Sequence, residues 1–178
     1  AGEKTDLLYK GKHPDHYRIT EVERNDLSVR KRLRNFPLYQ KENAFLAAKC
    51  VEKLFQIPCL KALEFLADFA GVGRRLTVHY EGLEYTLIED YAHHPTEVEA
   101  SLRSLREMYP ESILYLVFQP HRYARLERYF EEFAGELGRK EYSPDKVYVA
   151  PVFAAWCESG EVDSDALALA VNGTSIKG

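Results

Sequence analysis

Glu89-Asp90-Tyr91-Ala92-His93-His94-Pro95-Thr96-Glu97 and Phe118-Gln119-Pro120-His121-Arg122-Tyr123-Ala124-Arg125 are the two stretches whose reading decides the fold. Each follows an apolar, β-branched or aromatic run (residues 85–88 and 113–118), and each precedes a helical pattern. Clusters of His, Arg, Asp and Tyr therefore fall at the carboxyl ends of successive strands. In an open α/β sheet that is the edge where ligands bind. A hydrophobic core has no use for histidines, arginines and an aspartate at its strand ends, so the pattern marks a site.

Outward from these stretches the same alternation continues. Residues 76–80 and 83–88 read as strands joined by a tight Glu81-Gly82 turn. Residues 95–108 read as a helix with proline in its first turn, where a missing N–H costs nothing. A strand over 113–118, a helix over 123–137 and a strand over 146–150 complete a β-α-β-α-β run, which predicts an α/β fold with a mainly parallel sheet and flanking helices. Beyond Pro151 there is one short helical pattern, 164–171, and no closing strand. Upstream, a polar lead-in to about residue 15 precedes a predicted hairpin, 16–23 and 27–33, around Asn25-Asp26. Helices over 43–55 and 58–69 follow, the second ended by Gly71. The expected organisation is a partial α+β segment over 1–70, a linker near 71–73, and an α/β domain over 71–178. The chain opens on Ala1-Gly2-Glu3 without methionine and ends on Lys177-Gly178 with no terminal helix, so it reads as cut from a longer polypeptide.

Composition narrows the function. The 178 residues are 46% hydrophobic and 29% charged, as in ordinary soluble domains. A net charge of -4 argues against a general nucleic-acid binder, which needs a basic surface for phosphates. Neither a signal peptide nor an apolar run of membrane-spanning length is present, so no membrane partner is expected. Cys50, Cys59 and Cys157 are widely spaced and read as buried, reduced thiols of a cytoplasmic protein. There is no Gly-x-x-x-x-Gly-Lys-Ser/Thr loop, no Gly-x-Gly-x-x-Gly, no serine elbow and no Cys/His nucleophile pair. The two clusters therefore read as binding and positioning groups, with no catalytic residue in this chain.

Asp90 stands where its carboxylate can accept from a ribose diol or cap the next helix. His93 and His94 are adjacent on a loop and point different ways, and no further donors occur at metal-site spacing, so no metal ligands are assigned. An imidazole at a helix start suits an anionic guest. Arg122 and Arg125, three residues apart, project from nearly one helix face. Their planar forks, beside His121, make a clamp for carboxylate or phosphate. The competing reading is a solvated helix start with salt bridges to Glu127 or Glu131. Arg74 and Arg75 can reach the same cleft, though either alone also reads as a surface residue.

These two motifs, with Gly71-Val72-Gly73-Arg74-Arg75-Leu76 upstream, resemble the Mur ligases, and within them the branch that joins L-alanine to UDP-N-acetylmuramate in peptidoglycan precursor synthesis. The resemblance covers roughly residues 15–172. It implies the tail of a central ATPase domain followed by a Rossmann-like C-terminal domain, the rest of the ligase being further domains of a full-length chain. Asp90 would hold the ATP ribose, Arg75 would approach the nucleotide across the domain junction, and Asn43 would belong to the segment that meets adenine. Tyr91, His93, His121, Arg122 and Arg125 would line the pocket for L-alanine and the muramoyl carboxylate. The implied reaction is ATP- and Mg2+-dependent: the carboxylate attacks the γ-phosphate, and the amine of alanine displaces phosphate from the acyl phosphate. Cell-wall biogenesis, cell shape and cell division are the implied processes. Glu42 and Leu46 depart from the family's His and Asn, and Gly73 stands where lysine is usual. Without the phosphate loop this chain alone is expected not to turn over. A murein-peptide recycling ligase and a stand-alone, non-catalytic binding module are the alternatives.

Overall fold

Pro37 fixes where the first helix begins. A proline lacks the N–H that a helix start leaves unused, and here it is the residue before α1 (Leu38–Phe55). The helix therefore opens ahead of the expected position, and Asn43 lies in its second turn instead of at its start. Gln56, in the left-handed conformation at φ 58°, ends it. The Glu52 carboxylate near that end accepts from the Cys59 amide at 2.9 Å, tying α1 to the start of α2 (Cys59–Ala67). Leu33, Phe45, Ala48, Cys59, Ala62 and Leu63 form the core between them. Cys50 and Cys59 are free thiols, Cys59 buried as expected and Cys50 only half-buried.

The computed structural model describes residues 33, 36–69, 71–156 and 159–177, divided into two compact units, 1–71 and 72–178. The hairpin expected over 16–33 and the thiol of Cys157 lie outside the described residues, Leu33 excepted. No described helix is long and apolar enough to cross a membrane.

The second unit carries both motifs. β1 (Thr77–Glu81) and β2 (Thr86–Glu89) pair antiparallel, with a bulge between Val78 and Tyr80. The connection is longer than the two-residue turn expected. It runs from Gly82 to Tyr85, closed by the Gly82 amide donating to the Tyr85 carbonyl at 3.0 Å. The Tyr80 ring lies over Gly82, where a β-carbon would collide with it. α3 (Pro95–Met108) follows, then β3 (Tyr115–Phe118), α4 (Tyr123–Arg128), α5 (Phe130–Leu137), β4 (Lys146–Val149), α6 (Ser164–Ala170) and β5 (Thr174–Ser175). β3, β4 and β5 form a parallel three-stranded sheet in that order.

The α/β class holds, with two corrections. β2, expected in the parallel sheet, pairs with β1 and is separated from β3 by an open cleft. The tail expected to lack a closing strand supplies β5, whose two residues pair with Tyr148 and Val149. The core joins Val98 and Leu102 of α3, Phe118 of β3, Leu126, Phe133 and Leu137 of α4 and α5, Val147 and Val149 of β4, and Leu167 of α6. Burying each such side chain contributes about 1.5–3 kcal/mol, so helices and sheet are fixed together beneath the strand ends that carry the motifs.

Candidate functional site

Asp90, the residue after β2, organises the first motif. One carboxylate oxygen accepts from the Leu76 amide at 2.8 Å and the other from the Ala92 amide at 2.7 Å. Leu76 sits at φ 47° and Arg74 at φ 59°, conformations a non-glycine residue holds only when its surroundings insist. The Asp90 carboxylate and the Tyr91 amide, which donates to the Arg74 carbonyl at 2.8 Å, are what insist. Asp90 does not cap α3. His94 is the cap residue, with its Nδ1 3.4 Å from the Thr96 amide. Glu97, in the first turn, accepts from the His93 amide at 3.1 Å, close to the reciprocal capping arrangement. Burial pushes the Glu97 carboxyl up, but the His93 amide, the His93 ring, Arg75 and the His94 amide outweigh it and hold it below the usual range. Arg75 approaches Glu97 at 3.5 Å.

The imidazoles are oriented by unambiguous partners. His93 Nδ1 lies 2.9 Å from the Tyr91 carbonyl, which can only accept, so that nitrogen carries the proton. His121 Nδ1 lies 3.2 Å from Arg125 Nη1, which can only donate, so Nδ1 accepts and the proton sits on Nε2. Desolvation, then the charges of Arg125, Arg122 and the neighbouring His93, lower the His121 pKa. At neutral pH His121 is therefore a neutral ring beside the two guanidinium groups.

Arg122 is the most constrained of the predicted residues. Its backbone is at φ 69°, ψ 129°, outside the left-handed helical well as well as the ordinary regions. The Arg122 amide donates to the Phe153 carbonyl at 2.9 Å, and the Phe153 amide to the Pro120 carbonyl at 2.8 Å, so the segment after β3 is laced to the segment after β4. The Arg122 Nε is buried and has no hydrogen-bond partner among the described residues. A buried cationic donor left unmatched is costly unless a guest completes it.

Ring contacts join the two motifs. Arg74 Cζ lies 4.7 Å from the Tyr91 ring centroid, Tyr91 meets His93 edge-on at 4.9 Å, and His93 lies 5.7 Å from His121. His121 stacks on Phe153 at 5.3 Å, and Arg122 Cζ lies 4.2 Å from the Trp156 ring. A cleft of about 680 Å³ opens beside this row, walled by β2, β3 and α3, with Asp90, Tyr91, His93, His121 and Phe153 on its rim. Tyr91, His93, His121, Arg122 and Arg125 are thus brought together, Asp90 lines the same cleft, Arg75 meets Glu97, and Asn43 belongs to the other unit. Among the described residues, Arg122 and Arg125 form no ion pair with Glu127 or Glu131; Glu127 instead accepts from the Glu161 amide at 2.6 Å. Phe153 and Trp156 were not singled out from the sequence. The usable signal was position: they follow β4, at the same carboxyl edge as the other two motifs.

Residues 74–174 match the family model described as Mur ligase, glutamate ligase domain. The chain is similar to UDP-N-acetylmuramate–L-alanine ligase of Desulfotalea psychrophila, 49% identical over 88 residues, which are 49% of this chain and 19% of that protein. It is also similar to the enzyme of the same name from Azoarcus sp., 42% identical over 127 residues, 68% of this chain and 26% of that one. The solved structure of UDP-N-acetylmuramate–alanine ligase from Thermotoga maritima shares the fold, with a TM-score of 0.56 at 24% identity over 79% of this chain and 29% of that one. The chain spans about a fifth to a quarter of the length of the curated relatives it matches. With the family model matched over more than half of its residues, the chain belongs to the Mur ligase family.

Proposed function

We propose that this chain is part of an ATP-dependent ligase that joins L-alanine to UDP-N-acetylmuramate, and that its second unit positions the incoming amino acid and the nucleotide. The observation that carries the reading is the row His93, His121, Arg122 and Arg125, in which Arg125 donates to a neutral imidazole, the Arg122 charge acts on the same ring, and the buried Arg122 Nε–H is unmatched among the described residues. Such an arrangement receives a carboxylate. The names of the relatives supply which carboxylates: those of the muramoyl group and of L-alanine.

In this reading ATP supplies activation of the muramoyl carboxylate. Arg122 and Arg125 grip a carboxylate through paired N–H bonds and hold the amine nucleophile in line. His121, with Nε2 protonated, donates a further hydrogen bond, and Tyr91 and His93 wall the amino-acid pocket. Asp90, whose two oxygens accept from the Leu76 and Ala92 amides, is held at the strand end and is assigned to the ribose diol. Arg75, next to the Leu76 amide that Asp90 holds, is assigned to the nucleotide, and Asn43, in the first unit, to adenine. In this reading Mg2+ and most of the ATP contacts belong to the remaining domains of a full-length ligase. The chain alone is expected to be inactive. The peptidoglycan pathway, with its role in cell shape and division, and a cytoplasmic location follow from this reading.

The test is kinetic, in the intact ligase that carries this segment. Arg122→Ala and Arg125→Ala should each raise KM for L-alanine about 10- to 100-fold, the loss of one charged hydrogen-bonded contact. Neither should shift the melting temperature by more than a few degrees, since part-exposed arginines contribute little to stability. Unfolding with an unchanged KM would overturn the clamp. Turnover with a peptide in place of L-alanine would reassign the acceptor.

A further inference from the structure

Trp156 is the only tryptophan in the chain, and it is 80% exposed. A large apolar ring at the surface gains little from burial, so its placement needs another reason. Two backbone features bring it to Arg122. The lacing of Phe153 to Pro120 and Arg122 fixes the segment after β4 beside the segment after β3. Ala155, at φ 58°, then turns the chain so that the next residue comes back over the guanidinium. Arg122 and Ala155 both hold positive φ, so both sides of the contact are held in unfavourable backbone. The separation, 4.2 Å from Cζ to the ring centroid, is one at which a guanidinium stacks on an indole.

The geometry points to Trp156 as a positioning and specificity-determining residue, which covers one face of the Arg122 guanidinium so that a planar anion, a carboxylate, is received along its edge in preference to a tetrahedral one. The inference rests on the reading of Arg122 as an anion-binding group. A guanidinium with one face on an indole and Nε turned inward can be approached in its own plane. A carboxylate fits that approach, because both oxygens lie in the plane and accept two parallel bonds. A phosphate presents further oxygens above and below the plane. One of them would meet the indole face, where the ring quadrupole is negative and repels it. The residue thus tells a carboxylate acceptor from the phosphate groups that an ATP-dependent site also handles. It does so through Arg122, without a hydrogen bond of its own.

The test uses the 178-residue chain, labelled with 15N in its arginines, and the Arg122 Nε–H signal, assigned by its loss in Arg122→Lys. The expected wild-type result is a ring-shifted Arg122 signal that moves on titration with L-alanine or acetate and responds at least two- to fivefold more weakly to inorganic phosphate at matched ionic strength, the size of a cation–π effect. In Trp156→Leu the ring shift should vanish and the two anions should become equivalent. Retained carboxylate preference in a folded Trp156→Leu chain would overturn the role of Trp156 while leaving the anion site standing. An Arg122 signal that no anion moves in either protein would overturn the anion site itself, and the present inference with it. Trp156→Phe, which keeps a negative ring face, should rescue most of the preference; failure of that rescue beside a folded chain also counts against the inference.

Discussion

At the residue scale, His121 concentrates the consequences of the site. Its ring accepts from Arg125, and burial followed by the Arg125, Arg122 and His93 charges lowers its pKa. The folded chain therefore binds a proton there less readily than the unfolded chain does. The stability contributed by the neutral ring is complete above the ordinary histidine value of about 6.5 and is lost as pH falls through the lowered folded value. A carboxylate between the guanidinium groups cancels part of the charge responsible, so binding should raise the midpoint back toward 6.5. Ring resonances followed by NMR should titrate below 6.5 in the free chain and shift upward with saturating acetate. A free-chain midpoint at or above 6.5 would remove the electrostatic account of the cluster. These residue types were readable from the sequence because histidine and arginine at strand ends serve no core. Their partners were not. That Asp90 holds Leu76 and Ala92, leaving the helix cap to His94, depends on a turn at positive φ that no local pattern announces.

At the element scale, the patterned segments were found and the unpatterned ones were not. The helix expected over 123–137 is broken at Tyr129, whose backbone leaves the helical region at φ -120°, ψ 25°. Neither glycine nor proline marks the break. The Tyr129 ring instead meets His94 edge-on at 4.7 Å, a tertiary contact invisible to helix periodicity. β5 has only two residues, too short for alternation to register. What holds it is Gly173, where a β-carbon would sit 2.7 Å from the Val147 carbonyl oxygen, together with the Ile176 amide donating to the Val149 carbonyl at 2.8 Å. Gly173→Ala should therefore destabilise by about 1–3 kcal/mol, as overpacking against backbone does. Gly135, exposed within α5, has nothing within 4 Å of a β-carbon. There alanine should stabilise by about 0.5–1 kcal/mol, because it relieves the helix of glycine's excess entropy. Urea midpoints for the two variants should move in opposite directions at unchanged slope. A midpoint for Gly173→Ala that does not fall would mean that β5 is not held by that close approach.

At the scale of the whole molecule, strand partners are the least legible feature of the sequence. Apolar runs announce that strands exist; which edge each one joins is settled by distant packing, and so β2 could be read as a strand but not as the partner of β1 alone. The division of the chain has a firmer physical basis. Leu33, Phe45, Ala48, Cys59, Ala62 and Leu63 make one core and the cluster around Phe118, Phe133, Val149 and Leu167 makes another, each drawn from residues of a single unit. Two separate cores predict two separate cooperative transitions, because removing a side chain from one leaves the other's packing unchanged. Residues 72–178 expressed alone should give an amide spectrum that overlays on the same residues in the whole chain. Leu167→Ala, at a position fully out of solvent, should cost that unit about 2–5 kcal/mol. Leu63→Ala, equally buried in the first unit, should leave the 72–178 resonances and their amide-exchange protection untouched. If residues 72–178 alone give a collapsed spectrum, or if Leu63→Ala lowers protection around Leu167, the second unit does not fold by itself. The strained turn at Arg122 would then have to draw its support from the rest of the chain and not from the lacing of Pro120 and Phe153.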